Sequence, residues 1–471
     1  MRKDIGRQKI TALGQLDLFS TPWSPAGKPA DGIGDGQPCR DELSSRLKEQ
    51  HARTANITER IVDVANLNKA MLQVERNKGS GGVDGMEVTE LRDWLVMNLE
   101  PLQKSLLNGT FAPSAVRRCE VPKASGGSRI LGIPTVIDRM VQQAIHQQLG
   151  ILYDPYFSES SFGFRPNRSA HDAIQQASKY VREGKEWAVM IDFESFFDLI
   201  NHDRLMTRLC KGVGDKRLLR LINAFLKAGM LEGGVESQRV AGTPQGGPLS
   251  PLLSNIVLDE LDKELESRGL AFCRYADDCT IYVRSRRAGE RVLKSVIKYV
   301  EDVLKLKVNT AKSGVRHCSQ AKFLGYTLLA GGNKRVADKS IDRLKTKVKE
   351  ITKRNRGVKF EQIIGELNSV ILGWSQYFRL ANRWLSVLRD LDSWIRRKLR
   401  CYRLKQCGRR FTLYKLLRSH GKSERESWNV VMYAQGWWNM SDKRHVRTAM
   451  DIKWFLAQGL HSLEYRVTAK S

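Results

Sequence analysis

The pattern of apolar and polar positions along the chain changes its period several times, and each period predicts a different element. A helical pattern begins at Ile57 and ends at the glycine-rich turn KGSGGVDG, residues 78–85. The stretch RRCEVPKASGGSRILGIPT, residues 117–135, alternates apolar and polar residues on both sides of a turn. It predicts a β-hairpin with Lys123 and Arg129 near the tip and Arg117 further back.

Two further segments predict buried strands that carry acids. WAVMIDF, residues 187–193, is a short apolar run with Asp192 near its end. AFCRY and CTIYV are β-rich runs separated by Ala276, Asp277 and Asp278, so the two adjacent carboxylates are expected in a hairpin turn. Helical patterns lie around these strands, and their approximate ranges are 141–149, 170–180, 216–227, 252–265 and 291–304.

From residue 341 the chain becomes helical and basic. Two apolar stripes at helical spacing predict buried faces, and they consist of Ile341, Leu344, Val348 and Ile351, then Leu388, Leu391, Ile395 and Leu399. The other faces of the second helix carry a basic cluster, Arg396, Arg397, Lys398 and Arg400. A solvated charged face is the ordinary explanation, but few acids are interleaved for pairing. Binding to a phosphate backbone explains the cluster better.

Charge strengthens that interpretation. The 471 residues include 79 Lys and Arg against 51 Asp and Glu, a net charge of +28. Residues 341–420 hold 21 of the cations and 6 of the acids, so this segment alone contributes +15. Such an excess favours a polyanionic partner, with nucleic acid the first candidate. The eight cysteines show no C-x-x-C spacing and no apolar run could span a bilayer, so we expect a cytosolic protein that binds no membrane.

The acids Asp192, Asp277 and Asp278 suggest the chemistry. A sheet could bring the three carboxylates together, and with no evident Cys or His ligands they suit a hard cation such as Mg²⁺. Two such ions would clamp the attacking and leaving oxygens of a phosphoryl transfer. An Asp-Asp pair is also common in turns, so the pair alone favours this chemistry only weakly.

These residues carry a family resemblance. Tyr275-Ala276-Asp277-Asp278 resembles the YxDD signature of reverse transcriptases, and MIDFESFFDLINHDRL, residues 190–205, resembles the block with their first catalytic aspartate. Other stretches agree in the expected order, namely SFGFRPNRSAHDAI, TPQGGPLSP, AKFLGYTL, LNSVILGWSQYFRLAN and GWWNMSDKRHVRTAMDIKWFLAQGLHSLEYRV. The chain from about residue 56 is similar to bacterial group II intron-encoded reverse transcriptase/maturases. Since the last residues lack a Cys or His cluster, we expect no endonuclease domain.

The resemblance implies an α/β right-hand polymerase, with fingers and palm, followed by an α-helical thumb/maturase domain. The expected boundaries are an N-terminal extension over residues 1–55, fingers and palm over 56–338, the basic helical thumb over 339–420, and a nucleic-acid-contacting module over 421–471.

It also implies roles for individual residues. The metal ligands would be Asp192, Asp277, Asp278 and the backbone carbonyl of Phe193, holding two Mg²⁺ ions. The pocket for the incoming dNTP would contain Lys123, Arg129, Phe193, Phe197 and Gln245. Phe197 would lie under the sugar and exclude a 2′-hydroxyl, although core packing is its alternative. Template and intron RNA contacts would include Arg117 and the basic cluster. Asp198, His202 and Asp203 read more simply as structural residues, with Asn201 to Asp203 beginning a helix.

The expected function is therefore RNA-directed DNA polymerisation with binding of group II intron RNA, help with its splicing, and retrohoming into a DNA target. The expected location is the bacterial cytosol, in association with the nucleoid. Two alternatives stay open: a splicing cofactor whose polymerase site has decayed, and a host-defence reverse transcriptase without intron mobility. The intact acids, Lys123, Arg129 and Gln245 argue against decay.

Overall fold

The structure is a computed structural model that describes residues 54–122, 128–232, 235–237, 242, 246–382, 385–432 and 436–464. It divides into two compact units. The first contains the described residues up to Ala173 together with Val189–Val283 and Arg287–Val315. The second contains Ile174–Ala188, Arg284–Arg286 and the described residues from Arg316 onward. Within the described residues, no helix is both long enough and apolar enough to cross a membrane.

Helices dominate the chain and strands are short. The helices are α1 (Ile57–Val62), α2 (Val64–Asn77), α3 (Leu91–Asn108), α4 (Val136–Tyr153), α5 (Ala170–Arg182), α6 (Phe196–Leu199), α7 (His202–Gly212), α8 (Lys216–Lys227), α9 (Ser250–Ser267), α10 (Arg286–Asp302), α11 (Asp338–Ile351), α12 (Phe360–Tyr377), α13 (Leu385–Cys407), α14 (Arg410–Ser419), α15 (Glu424–Met432), α16 (Gly436–Met440), α17 (Arg444–Ala449) and α18 (Ile452–Ala457). The strands are β1 (Val116–Pro122), β2 (Ser128–Ile133), β3 (Trp187–Ile191), β4 (Met230–Glu232), β5 (Val235–Ser237), β6 (Ala271–Tyr275), β7 (Asp278–Val283), β8 (Gly314–His317), β9 (Tyr326–Leu328) and β10 (Lys334–Val336).

The described residues form three sheets, and both predicted hairpins are confirmed. The first sheet has the order β2-β1-β4-β5, with β1 and β2 antiparallel and Arg117 opposite Ile133. The second has the order β6-β7-β3-β8, with β6 and β7 antiparallel. β9 and β10 form a separate pair. The apolar strand β3 therefore lies directly beside the strand that begins with Asp278.

The helical pattern that begins at Ile57 is two helices, which corrects the expectation of a continuous one. Asp63 separates them with extended backbone (φ −53°, ψ 137°), and its side chain accepts hydrogen bonds from the backbone N–H groups of Ala65 and Asn66. Because Asp63 is the N-cap of α2 and has non-helical backbone, α1 must end before it. Left-handed Lys78 then ends α2 at the predicted glycine-rich turn.

The second unit has one apolar core, built largely by the predicted stripes. Leu344, Val348 and Ile351 of α11 are buried, and all four stripe residues of α13 are buried as well. Residues beyond 420 share this core, including Val446, Phe455 and Leu463. The described part of segment 421–471 is therefore packed with the basic helices of the same unit.

Candidate active site

The hairpin between β6 and β7 presents the two adjacent aspartates. Tyr275 pairs with Asp278 across the hairpin, which leaves Ala276 and Asp277 as the two turn residues. Ala276 is buried, Asp277 is half-buried and Asp278 is exposed. The predicted turn is confirmed for Asp277, whereas Asp278 begins β7 directly after it. Ala276 has φ +57°, and a left-handed conformation at a residue with a Cβ costs on the order of 1 kcal/mol.

A fully buried arginine holds this turn. The Arg274 guanidinium donates from Nη1 to the carbonyl of Ala276 (2.9 Å) and to Oδ1 of Asn255 (2.9 Å). Its Nε donates to Oδ1 of Asp262 (2.7 Å), and its Nη2 donates to the hydroxyl of Ser161 (2.8 Å). One side chain thus ties the strained turn residue to helix α9 and to the loop before α5.

The Arg274–Asp262 ion pair is completely shielded from solvent. Burial opposes the charged guanidinium, but the Asp262 carboxylate more than offsets it and raises the pKa of Arg274 above its ordinary value. A buried charge of this kind is stable only while its partners are in place. The network therefore fixes the hairpin rigidly, which a site built on two strand ends requires.

Asp192 directly follows β3, and its backbone is fixed on one side. Its N–H donates to the hydroxyl of Ser313 (2.9 Å), and its carbonyl accepts from the N–H of Asn309 (2.8 Å). The Lys312 ammonium lies 3.3 Å from the carboxylate oxygen Oδ2. That oxygen is buried and accepts no properly oriented hydrogen bond from the described residues. A carboxylate oxygen that is paired with an exposed lysine ammonium, and that accepts no further hydrogen bond from the described residues, is a suitable ligand for a hard cation.

The three predicted acids lie at the ends of two neighbouring strands. Asp192 comes after the last residue of β3, Asp278 is the first residue of β7, and Asp277 precedes it. Across the part of the chain that the structure describes, no three His, Cys, Asp or Glu side chains form a ready-made metal-binding cluster. Sheet order thus places the acids on adjacent strands, while Asp192 forms its ion pair with Lys312.

The phenylalanines after Asp192 divide into core residues and one accessible ring. Phe193 and Phe196 are buried, whereas Phe197 is half-buried. The Phe196 and Phe197 rings meet edge-on with centroids 5.4 Å apart. Core packing therefore explains Phe193 and Phe196 better than it explains Phe197.

The residues just after Phe197 are structural, as expected. The Asn201 side chain caps α7 by accepting from the N–H of Arg204, and the His202 ring hydrogen-bonds the Gly242 carbonyl (2.6 Å). Gly242 has φ +86°, and a Cβ there would lie 2.7 Å from the Phe197 carbonyl oxygen. Only glycine allows this close approach beside Phe197.

The other predicted nucleotide contacts are only partly described. Arg129 belongs to β2 and pairs with Val121, but its side chain lies outside the described residues, as do Lys123 and Gln245. Arg117 on β1 is exposed, and its Nη2 donates to the hydroxyl of Ser80 (3.2 Å). The hairpin that carries Arg117, Lys123 and Arg129 is confirmed, and the roles of all four residues stay predictions.

In the second unit the basic cluster of α13 consists of three partly exposed residues and one buried residue. Arg396, Arg397 and Lys398 are partly exposed. The Arg397 guanidinium and the Lys398 ammonium lie 4.1 and 4.7 Å from the centroid of the Trp438 ring, and Arg397 also pairs with Asp442 at 3.3 Å. This geometry combines cation–π contacts with a surface ion pair.

Arg400 does not belong to the exposed face, which corrects the expectation that it contacts RNA. It is only 6% exposed, and it donates to the backbone carbonyls of Ser441 (2.9 Å) and Met450 (3.4 Å). Burial, reinforced by neighbouring cations such as Arg396, lowers the pKa of Arg400 to about 10. Position 400 lies on the buried face of the helix. Its arginine therefore joins α13 to the segment after α16.

Sequence reasoning missed Arg274 and Lys312. A charge inside the apolar run AFCRY was the available signal for Arg274, because a buried arginine needs a partner. No local pattern marks Lys312, since its relation to Asp192 depends on how the loop after α10 returns to β3.

Comparison with known proteins agrees with this architecture. The model of the family "Reverse transcriptase (RNA-dependent DNA polymerase)" matches residues 121–328, which include all three acids. The model "Group II intron, maturase-specific domain" matches residues 341–420, the strongly basic segment. The fold is thus that of a reverse transcriptase with a helical region after the polymerase sheet.

Three individual proteins illustrate what this chain is similar to. Protein YkfC of Escherichia coli K12 is 33% identical over 53% of this chain and 75% of its own length. Group II intron-encoded protein LtrA of Lactococcus lactis is 31% identical over 49% of each chain, so this chain spans about half of LtrA. A chain of telomerase from Candida albicans aligns with 12% identity and a TM-score of 0.38, covering 69% of this chain and 65% of that one. The chain belongs to the reverse transcriptase family and carries a group II intron maturase-specific domain.

Proposed function

We propose that the protein is an RNA-directed DNA polymerase whose active site lies where β3 and β7 end, and that it also binds and helps to splice a group II intron RNA. The observation that carries the proposal is the position of Asp192 and Asp278 at the ends of adjacent strands. The family matches over residues 121–328 and 341–420 support both halves of this function.

Packing around Gly289 shows how far each acid lies from a shared level of the two strands. A Cβ at Gly289 would lie 3.4 Å from methyl groups of both Val189 and Val283, so these residues of β3 and β7 are at nearly the same level. From that level, Asp192 is three residues forward and Asp278 five residues back. Antiparallel strands would put both acids on the same side, offset by two residues or about 7 Å. Parallel strands would put them on opposite sides.

The residues suit two divalent ions, and we propose Mg²⁺. Asp192 Oδ2 is a buried oxygen that accepts no properly oriented hydrogen bond from the described residues. Asp277 in the turn is half-buried, and Asp278 at the start of β7 is exposed. Asp192 and Glu194 bond the 307–309 segment through their backbones. Backbone groups alternate sides along a strand, so the Phe193 carbonyl between them points away from that segment and would serve as a further ligand. Bound Mg²⁺ would supply charge stabilisation for nucleotidyl transfer.

The chain's own residues would bind and orient the reactants. Lys123 and Arg129 are suited to the triphosphate, as a point charge and a planar fork respectively, and Gln245 would line the same pocket. The accessible ring of Phe197 would exclude a 2′-hydroxyl and so favour dNTPs. Exposed Arg117 would contact the template.

The basic second unit would hold the RNA. Arg396, Arg397 and Lys398 present partly exposed cations, and group II intron RNA is the proposed ligand because the maturase model covers this segment. Retrohoming would add a DNA target and primer as partners. The location that we propose is the bacterial cytosol, in association with the nucleoid.

Primer extension on an RNA template with dNTPs and Mg²⁺ tests the proposal. We expect Asp277→Asn and Asp278→Asn each to abolish cDNA synthesis, because each removes a charged metal ligand, while intron RNA binding and splicing persist. Asp203→Asn is the matched control, an exposed acid in the same unit at the first turn of α7. Undiminished extension by either of the first two variants would contradict the proposed active site.

A further inference from the structure

Three aromatic side chains of the second unit stack at its surface. Phe411 and Tyr414 of α14 have ring centroids 5.9 Å apart and planes inclined by 12°. Tyr414 also stacks with Trp428 of α15, at 4.7 Å and 27°. We call Phe411, Tyr414 and Trp428 the aromatic ladder. Its rings are held nearly parallel by two helices that pack against each other.

The aromatic ladder is not the core face of its helices. Leu413 and Leu417 are the buried residues of α14, whereas Phe411 is 56% exposed. On α15, Val430 and Val431 are buried, whereas Trp428 is 37% exposed. Tyr414, the middle ring, is half-buried and packs against the core, so it anchors the two more exposed rings. Exposed aromatic patches of this kind commonly mark binding surfaces.

The charge around the ladder indicates its partner. Helix α14 carries Arg410, Lys415 and Arg418 and no acid. The Lys415 ammonium lies 4.8 Å from the centroid of the Phe411 ring. The acids of α15 are Glu424 and Glu426, and Glu426 is engaged by the Ser423 backbone N–H (2.9 Å) and by His445 (3.0 Å).

We propose that the aromatic ladder is a stacking platform for unpaired nucleobases of a bound nucleic-acid strand, with Lys415 and Arg410 meeting its phosphates. Exposed rings interleaved with cations are the arrangement that single-strand binding uses, because every base has a π-face and every nucleotide a phosphate. A protein partner would lack the regular anions that this cationic rim requires. The proposal deepens the proposed RNA binding and rests on it, since it names unpaired bases as what this surface recognises.

The test measures binding of the full-length chain to three labelled probes at fixed salt: U20 RNA, dT20 DNA and a 20-bp RNA duplex. We expect Phe411→Leu and Trp428→Leu each to weaken binding to a single-stranded probe about 5- to 100-fold, because leucine keeps the apolar surface but removes stacking. Duplex affinity should stay unchanged, since paired bases are not offered to the rings. Trp428→Tyr should keep most of the wild-type affinity that Trp428→Leu loses, because tyrosine can still stack.

Salt dependence separates stacking from charge. The leucine variants should keep the wild-type slope of log affinity against log salt, whereas Lys415→Gln should flatten it by about one unit. Ile452→Ala is the matched control, because Ile452 is 57% exposed in the same unit but outside the ladder. If the leucine variants lose more affinity for U20 than for dT20, the ladder binds RNA; if they lose more for dT20, it binds DNA.

Two results would overturn the proposal. One is wild-type affinity of both leucine variants for both single strands. The other is an equal loss of affinity for the duplex and for the single strands, which would indicate a general structural effect. Unfolding curves of the variants would then show lowered stability as well. Ladder variants that dissociate a wild-type dimer without losing U20 or dT20 would instead make the surface a self-association site. Primer extension by the wild-type chain is measured in parallel, so failure of the polymerase function is recognised separately.

Discussion

Individual residues of the active site differ in how far sequence alone can place them. Asp277 and Asp278 interrupt a β-rich stretch, so a hairpin turn was predictable and is confirmed. Arg274 was not identified, because its partners Ser161, Asn255 and Asp262 are far away in sequence and meet only in the fold. The two acids at the turn are adjacent in sequence and can be recognised there. The residues that hold the turn in place come from separate segments and can be recognised only in the fold.

The Arg274 network gives a prediction at this scale. Arg274→Gln leaves Asp262 buried without its charge partner, and we expect a loss of about 3–5 kcal/mol in the free energy of unfolding. Primer extension should fall at least about tenfold, since Ala276 loses the donor that holds its strained conformation. Urea unfolding and extension kinetics measure the two effects.

A double variant separates positioning from stability. Arg274→Met with Asp262→Leu removes both charges, so much of the stability should return. Extension should stay low, because the bond to the Ala276 carbonyl is still missing. Arg217→Gln, which removes a partly exposed ion-paired arginine of the same unit, is the control. Recovery of extension together with stability would show that Arg274 only stabilises the fold.

At the scale of elements, periodicity was a good guide to what is buried and a poorer guide to where helices end. The apolar stripe of α13 is buried as predicted, and the stripe of α11 is buried except for Ile341, which is half-buried. The break at Asp63 was missed, because an aspartate within a helical pattern can be either a surface residue or a cap. Arg400 was misassigned for a related reason: charge in the sequence does not show whether a long side chain points to water or to backbone carbonyls.

The basic face of α13 supplies a second prediction. Arg396→Gln, Arg397→Gln and Lys398→Gln together should flatten the slope of log RNA affinity against log salt by about one unit for each lost phosphate contact. Arg400→Gln should leave the slope unchanged and lower the free energy of unfolding instead, because its donors satisfy the carbonyls of Ser441 and Met450. A triple variant with the wild-type slope would assign these cations to a solvated face.

The start of α4 supplies a third prediction, concerning pH. Burial raises the pKa of Asp138 to about 6, although the Thr135 hydroxyl and the Ser114 N–H donate to its carboxylate and oppose the shift. Folding therefore takes up a proton at Asp138, and the stability from this group is present below its unfolded pKa and lost as pH rises through about 6.

Asp138→Asn cannot titrate and so isolates this effect. As pH falls from 7 to 4, the wild-type chain should gain up to about 3 kcal/mol in free energy of unfolding relative to the variant. Urea unfolding of both proteins across this range measures the difference. A constant difference would mean that the Asp138 pKa is the same in the folded and unfolded chain.

For the whole molecule, the motifs predicted the family correctly, and the matches to the reverse transcriptase and maturase models confirm it. Compact units were harder to foresee. Residues 174–188 belong to the second unit although they lie between segments of the first, and no composition shift marks that change. Domain boundaries that are predicted from charge divide the chain into continuous segments. Compact units can combine separate segments, because they depend on which helices and strands pack together. The predicted boundaries at 338 and 420 stay predictions.

The central claim is that Asp192 and Asp278, from different strands, hold the same metal ions. Binding of Mn²⁺ measures this directly, by magnetic resonance of the free ion in the presence of dNTP and a primer–template with a non-extendable 3′ end. We predict that Asp192→Asn and Asp278→Asn each lose the same tight sites, while Asp203→Asn binds like wild type. If Asp192→Asn kept every site that Asp278→Asn loses, the two strands would not share a metal centre and the account would be contradicted.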